Sequence, residues 1–282
     1  MGEKEELPAG TADSMVVDGK QYHIGAGEGD LAEYILLCGD PGRAERASRF
    51  LDRVQVEVKN REYWTYTGEY GGVPVSIMST GIGPDNVEIA VVEISRVVEN
   101  PTLIRIGSSG GLQDRIKMGD LIISTGAVRL ENTSLYYVHE GFPAIADYRV
   151  VMALSMAARD VGARFHVGLT ATAPSFYAAQ SRRMDDFPVR YPGLLDELAR
   201  YGVLNYEMES STLFTLATLR GIKAGTVCAA YSTRYDNRPI TKEEKKVAEK
   251  NTILTGLKAV VHLEKIKNWP KMGVSGEVWV PE

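Results

Sequence analysis

Two glutamates flank a methionine in "NYEMES", Asn205 to Ser210. On an extended backbone residues two apart face the same side, so Glu207 and Glu209 would crowd two negative charges together. Some other group must use them. Arg105 stands inside the apolar run "TLIRIG", where an unpaired charge is costly. It calls for an anionic ligand or a buried acid. Ser108 and Ser109 follow beside Gly110 and Gly111 and offer hydroxyls. In "CGDPGR", Gly39 and Gly42 surround Pro41, with Arg43 in the first helical turn. Glycine backbone and a helix start suit an anion, and Arg43 adds a charge-assisted donor. An ordinary strand-to-helix turn with a surface arginine would read the same. In "SFYAAQSRR", Phe176 and Tyr177 can stack on a planar ring. Gln180 offers a donor and acceptors, and Arg182 donors only, which suits a ring edge with carbonyl and N–H groups. Aromatic core plus a solvated loop fits that stretch equally well.

Other chemistries lack their residues. The four histidines, His23, His139, His166 and His262, have no ligand spacing, and neither HExxH nor CxxC occurs, so no catalytic metal is expected. The phosphate-binding signature ending in GK and Ser or Thr is missing, as is the GxSxG elbow.

Positioning these groups falls to alternating strands and helices. "YILLC" reads as a buried strand, "GDPGR" as a turn and "AERASRFLD" as a helix. "EYWTYTGEY" and "VPVSIMST" read as strands joined through Gly71 and Gly72. A helix begins near Pro84, because Val87, Ala90, Val91, Ile94, Val97 and Val98 recur at helical spacing. The strand "TLIRIG" then enters a turn at "SSGG", with strands near "DLIISTGAVRL". Further elements are a helix over 147–162, the strand "HVGLTATA", a helix over 192–201, the short strand "VLNYEM", and the helix "SSTLFTLATLRG" stopped by Gly221. The strand "KAGTVCAAYS" and an amphipathic helix over 242–267 complete the order. This predicts an α/β domain with its sheet covered on both faces. Each unusual polar stretch follows a strand: "GDPGR", "STGIGPDN", "RIGSSGG", "FYAAQSRR", "YEMES" and "STRYDNR". Ligands in such sheets bind beyond the carboxyl ends of strands, so six loops are expected to converge on one site.

The composition fits this picture. With 282 residues, 24% charged and a formal charge of -5, the chain has ordinary globular values and argues against a nucleic-acid surface. Cys38 and Cys228 lie in apolar runs and read as core thiols in a reducing compartment. No apolar run reaches membrane-spanning length and no signal sequence is visible, so a cytoplasmic location is expected, with no membrane partner. Residues 1–20 and 271–282 read as tails around one domain over 21–270. The second tail carries a β-like "EVWV".

As an ordered set, the stretches "HIG", "CGDPGR", "NRE", "STGIGPDN", "IRIGSSGG", "GDLIISTGAVRLENTSLYY", "FPAIADY", "SFYAAQSRR" and "NYEMES" resemble the nucleoside phosphorylases of the purine and uridine phosphorylase type, on the uridine side of that family. The resemblance covers residues 22–235. It implies a three-layer α/β/α sandwich around a mixed, partly barrel-like central sheet. It also implies phosphorolysis: phosphate attacks the anomeric carbon of a nucleoside, releasing base and ribose 1-phosphate. By similarity Gly39, Arg43, Arg105 and Ser108 hold phosphate, with Arg61 from a neighbouring subunit. Met208 and Glu209 hold ribose, helped by His23 from that neighbour. Phe176, Gln180, Arg182 and Arg234 face the base. Glu207 either joins them or forms a structural ion pair. The catalytic core would be Arg43, Arg105 and Glu209, with phosphate as co-substrate and no organic cofactor. A monovalent cation such as K+ would sit near Glu62, Ile82 and Asn86, although Asn86 stands where the family usually has Ser. Homodimers or trimers of dimers are implied. Purine-cleaving relatives carry Asp after the strand that ends here at Thr233, which favours a pyrimidine nucleoside and uridine above all, in salvage and catabolism. The alternatives are a purine nucleoside phosphorylase or a non-catalytic nucleoside-binding protein of the same fold.

Overall fold

The computed structural model describes residues 15–180, 184–234 and 240–267. In chain order the elements are β1 (Val16–Val17), β2 (Lys20–Gln21), β3 (Tyr34–Cys38), α1 (Pro41–Ser48), β4 (Arg53–Asn60), β5 (Tyr63–Tyr70), β6 (Val73–Ser79), α2 (Pro84–Val97), β7 (Thr102–Gly111), β8 (Leu121–Arg129), β9 (Ala144–Ile145), α3 (Tyr148–Val161), β10 (Phe165–Thr172), α4 (Leu194–Arg200), β11 (Asn205–Glu207), α5 (Ser210–Arg220), β12 (Lys223–Thr233) and α6 (Lys242–Lys267). Within the stretch expected to be an N-terminal tail, β1 and β2 pair antiparallel. Residues 1–14 and the "EVWV" stretch lie outside the described residues.

One mixed sheet organises the molecule, in the order β11-β10-β8-β12-β7-β3-β6-β5-β4. β11 runs parallel to β10 on one side and antiparallel to β7 on the other. The strands β7, β12, β8, β10 and β11 therefore close on themselves as a small barrel, and β3, β6, β5 and β4 extend it as an open sheet.

Alternation along β7 assigns its faces. Ile104 and Ile106 join Leu36, Val227 and Leu257 in a core under α1, α3 and α6. Leu103 joins Leu37, Ile94 and Phe214 under α2 and α5. Helices thus cover both faces. Residues Ser210 through Ala217 of α5 are all buried, as expected for a helix packed on every side. It ends at Gly221, whose φ of 74° supplies the left-handed stop.

Two local expectations change. β7 continues through Ser108, Ser109, Gly110 and Gly111, so "SSGG" is strand and not turn. The pairing to β12 carries it, since Ser109 sits opposite Ala230 and Gly111 opposite Thr233. β4 is an additional strand at the sheet edge, pairing with β5 alone.

Candidate functional site

A cavity of about 1170 Å³ opens beyond the strand ends. All six polar stretches contribute: Gly39, Ile82, Ser108, Phe176, Met208 and Thr233 each line it from a different one. The cavity is large enough for a small organic ligand with a second, anionic one.

Arg105 rises from β7 on the Leu103 side of the strand and is buried. Its Nε donates to Glu207 Oε2 at 2.9 Å, and its Nη2 pairs with Glu209. Gly107 permits this pose, because a Cβ there would stand 2.9 Å from Arg105 Nη2 and 2.7 Å from Cys228 Sγ. The two cysteines are buried free thiols, as read from their apolar runs. Burial opposes the charge of Arg105, but Glu209 leads the groups that outweigh it, so the guanidinium stays protonated.

The paired glutamates divide their work. Glu207 accepts from Thr172 Oγ1 at 2.8 Å and from the backbone N–H groups of Glu209 and Ser210 at 3.0 Å. It therefore anchors the start of α5 as well as Arg105, which is the ion-pair reading of this residue. Glu209 also lines the cavity and accepts from Gly83 N at 2.8 Å, just before α2. The positive end of that helix favours its charge.

One guanidinium cannot neutralise two buried carboxylates. Burial raises the Glu209 carboxyl, Arg105 lowers it and Glu207 raises it again, leaving it above the usual value of 4.5. Below pH 4.5 folded and unfolded chains both hold that proton. As pH rises toward the folded value the unfolded chain loses it first, so stability falls across that window. Glu209→Gln removes the surplus charge. It is expected to melt above wild type at pH 7, with the gap closing toward pH 4. Calorimetric melting across that range checks it, and a mutant that melts lower at pH 7 refutes it.

Arg43 and Gly39 also line the cavity. Arg43 is buried, with Nη1 donating to the Ile106 carbonyl at 3.1 Å and Nε to Glu249 Oε2 at 3.2 Å. The Asp40 side chain accepts from Gly42 N at 2.9 Å and caps α1. That N-terminus thus already carries a carboxylate, beside the cavity-lining Gly39 and Arg43.

Phe176 and Gln180 also line the cavity. Gln180 is buried, whereas Phe176 is half exposed with its ring edge-on to Tyr177. Arg182 lies outside the described residues. Arg234 is not part of the lining, and its guanidinium pairs with Asp196 of α4.

His23 and Arg61 are absent from the lining of their own chain's cavity. They lie near each other instead. Asn60 Nδ2 donates to the carbonyls of Tyr22 and His23, and Arg61 stacks 5.1 Å from the Tyr22 ring centroid. Arg61 adopts a left-handed φ of 51°, uncommon for a side-chain-bearing residue and a mark of functional sites. Glu93, buried on α2, holds His23 through its Nδ1 at 2.6 Å and its backbone N–H at 3.0 Å. Glu62 and Asn86 crowd Gly81, and Asn86 Nδ2 donates to the Ile82 carbonyl at 3.3 Å. An amide N–H thus already rests on the Ile82 carbonyl, one of the three positions named for the cation.

Three supporting residues carried no sequence signal of their own. Thr172 ends a strand, Glu93 falls within a helix, and Glu249 sits in the charge-rich "KEEKKVAEK".

Comparison with known proteins places the chain. A family model described as the phosphorylase superfamily matches residues 33–259. A uridine phosphorylase of Thermococcus kodakarensis is 44% identical over 245 residues, covering 86% of each chain. A guanosine phosphorylase of Halorubrum lacusprofundi is 37% identical over 210 residues, covering 74% of this chain and 82% of that one. The crystal structure of a uridine phosphorylase from Vibrio fischeri superposes with a TM-score of 0.78 at 30% identity, covering 88% of this chain and 98% of the other.

Proposed function

The chain belongs to the phosphorylase superfamily, and we propose that it cleaves the glycosidic bond of a pyrimidine nucleoside with phosphate. Uridine plus phosphate would give uracil and ribose 1-phosphate, in cytoplasmic nucleoside salvage. The observation that carries this reading is the buried Arg105–Glu209 pair in a cavity lined by all six loops.

Phosphate enters between Arg43 and Arg105, with the Ser108 hydroxyl and Gly39 backbone completing its cradle. It is both nucleophile and anion, so catalysis is mainly placement. Arg105 now holds Glu209. An arriving dianion competes for that guanidinium and releases the carboxylate toward the sugar. Glu209 then accepts from ribose hydroxyls while Met208 packs on the ring. As the bond to the base stretches, positive charge develops on the sugar, as in other glycosyl transfers. Fixed negative charge aimed at it stabilises that state. Gln180 reads the edge of the base against Phe176, and Arg182 from the same loop would stabilise the departing uracil anion. His23 and Arg61 serve the site of a neighbouring subunit.

The guanosine phosphorylase relative favours a second reading, purine cleavage. Against it stands the cavity residue Thr233, which carries no acid to protonate a purine leaving group. Phosphate-dependent base release from uridine, thymidine, inosine and guanosine, measured side by side, decides the matter. Uracil is expected to leave much faster than hypoxanthine or guanine. Purine release at equal or greater rate overturns the pyrimidine assignment, and no release from any nucleoside overturns phosphorolysis.

A further inference from the structure

Arg43 lines the cavity, but its carboxylate partner does not, unlike the partners of Arg105. That partner, Glu249, sits on the buried side of α6, more than two hundred residues away in sequence, and is 8% exposed. Both of its oxygens are taken. Oε1 accepts from Arg46 Nε at 2.5 Å, and Oε2 accepts from Arg46 Nη2 at 3.0 Å and Arg43 Nε at 3.2 Å. Arg46 is tied in turn to Asp40 at 2.9 Å. Burial works against the charge of Glu249, but Arg46 and Arg43 outweigh it and hold the carboxyl below its usual value.

The geometry around Arg43 is restrictive. Its Nε edge faces Glu249, its Nη1 faces the Ile106 carbonyl, and its Cζ lies 6.0 Å from the centroid of the Tyr231 ring. A guanidinium is planar, so fixing these two edges fixes the direction of the remaining donors. Ile106 lies on the strand that carries Arg105, and Tyr231 lines the cavity. Cutting the Glu249 contact would leave a long side chain with several rotamers and a charge in a buried site.

We infer that Glu249 is a positioning residue for the anion site: from α6 it aims the Arg43 guanidinium, and so sets the affinity for phosphate without touching either substrate. The inference rests on the phosphorolytic reading. It gives α6 a functional share, since Glu249 reaches Arg43 and Arg46 of α1 from that helix.

The test is a double-mutant cycle with Arg43→Ala, Glu249→Ala and the combination. Phosphate KM is read at saturating uridine, uridine KM at saturating phosphate, and inorganic phosphate binding by calorimetry. Glu249→Ala is expected to raise phosphate KM and Kd about tenfold, within the range for directly coupled neighbours. Uridine KM should stay within about twofold, as for an interaction confined to one substrate. In the Arg43→Ala background the same change should add nothing further. Glu249→Gln, which keeps an oxygen for Arg43, should lose less than Glu249→Ala and serves in its place if the alanine variant does not fold. A folded Glu249→Ala with wild-type phosphate KM and Kd overturns the inference, as do effects that multiply independently in the double mutant. Should the wild type release no base, phosphorolysis fails as a reading, while calorimetry still reports whether Glu249 and Arg43 are coupled in phosphate binding.

Discussion

Arg105→Ala is expected to lower kcat/KM for phosphate by about 30-fold to several thousand-fold. That range corresponds to ~2–5 kcal/mol for one partner of a desolvated charged contact. The loss has two sources. The phosphate loses a donor fixed on a strand, not on a loop. Glu207 and Glu209 also lose the cation between them, and removing one member of a buried ion pair is destabilising in itself. Melting temperature should therefore fall along with activity. Arg105→Lys separates the two effects. A lysine keeps the charge and much of the stability, but it lacks the planar fork that engages both carboxylates and an anion. It should fold near wild type and still show a raised phosphate KM. A folded Arg105 variant with normal phosphate kinetics would remove this residue from the site.

Arg105 also shows why much of the site was legible in the sequence. A charge in an apolar strand is locally anomalous, and only a tertiary partner resolves it. The loops were legible for a related reason: glycine, proline, serine and arginine gather where strands end, and the sheet brings those ends together. Helix α2 announced itself through apolar periodicity and Pro84. The failures were places where distant contacts outweigh local composition. "SSGG" has the residues of a turn, yet it is paired with β12 and β11, and its glycines sit close against Tyr206 and Ile116. A Cβ at Gly110 would stand 2.3 Å from the Tyr206 hydroxyl, and one at Gly111 would stand 2.9 Å from Ile116 Cγ2. β4 has an alternating pattern, but it lies at the sheet edge with its valines partly exposed, so no apolar face marked it. Glu207 kept two readings because both need a buried carboxylate. Only the positions of Arg105, Thr172 and the α5 backbone reveal the ion pair. Glu249 was invisible among lysines and glutamates, since a solvated face and a buried anchor share that composition.

The other large effect is a recovery of activity. His23 and Arg61 lie together but do not line the cavity of their own chain. If they complete a neighbour's site, the active unit is at least a two-fold dimer with each site shared. Arg61→Ala and Arg105→Ala should then each be nearly inactive alone, for different reasons. In a mixed dimer, one site joins the intact Arg105 of one chain to the intact Arg61 of the other. The second site lacks both. Random pairing from an equal mixture makes half the dimers mixed, and half of their sites are complete. Activity should return to about a quarter of wild type when interfaces act independently. Co-expression or refolding of the mixture is needed, because a stable interface would keep the parent pairs together. Native mass spectrometry of differently tagged chains measures the mixed fraction, and activity should track it in proportion. The recovery cannot come from summing two weak enzymes, since each parent is assayed alone at the same total concentration. Mixed assemblies that form in the expected proportion and stay inactive would mean that Arg61 does not cross to a neighbouring site.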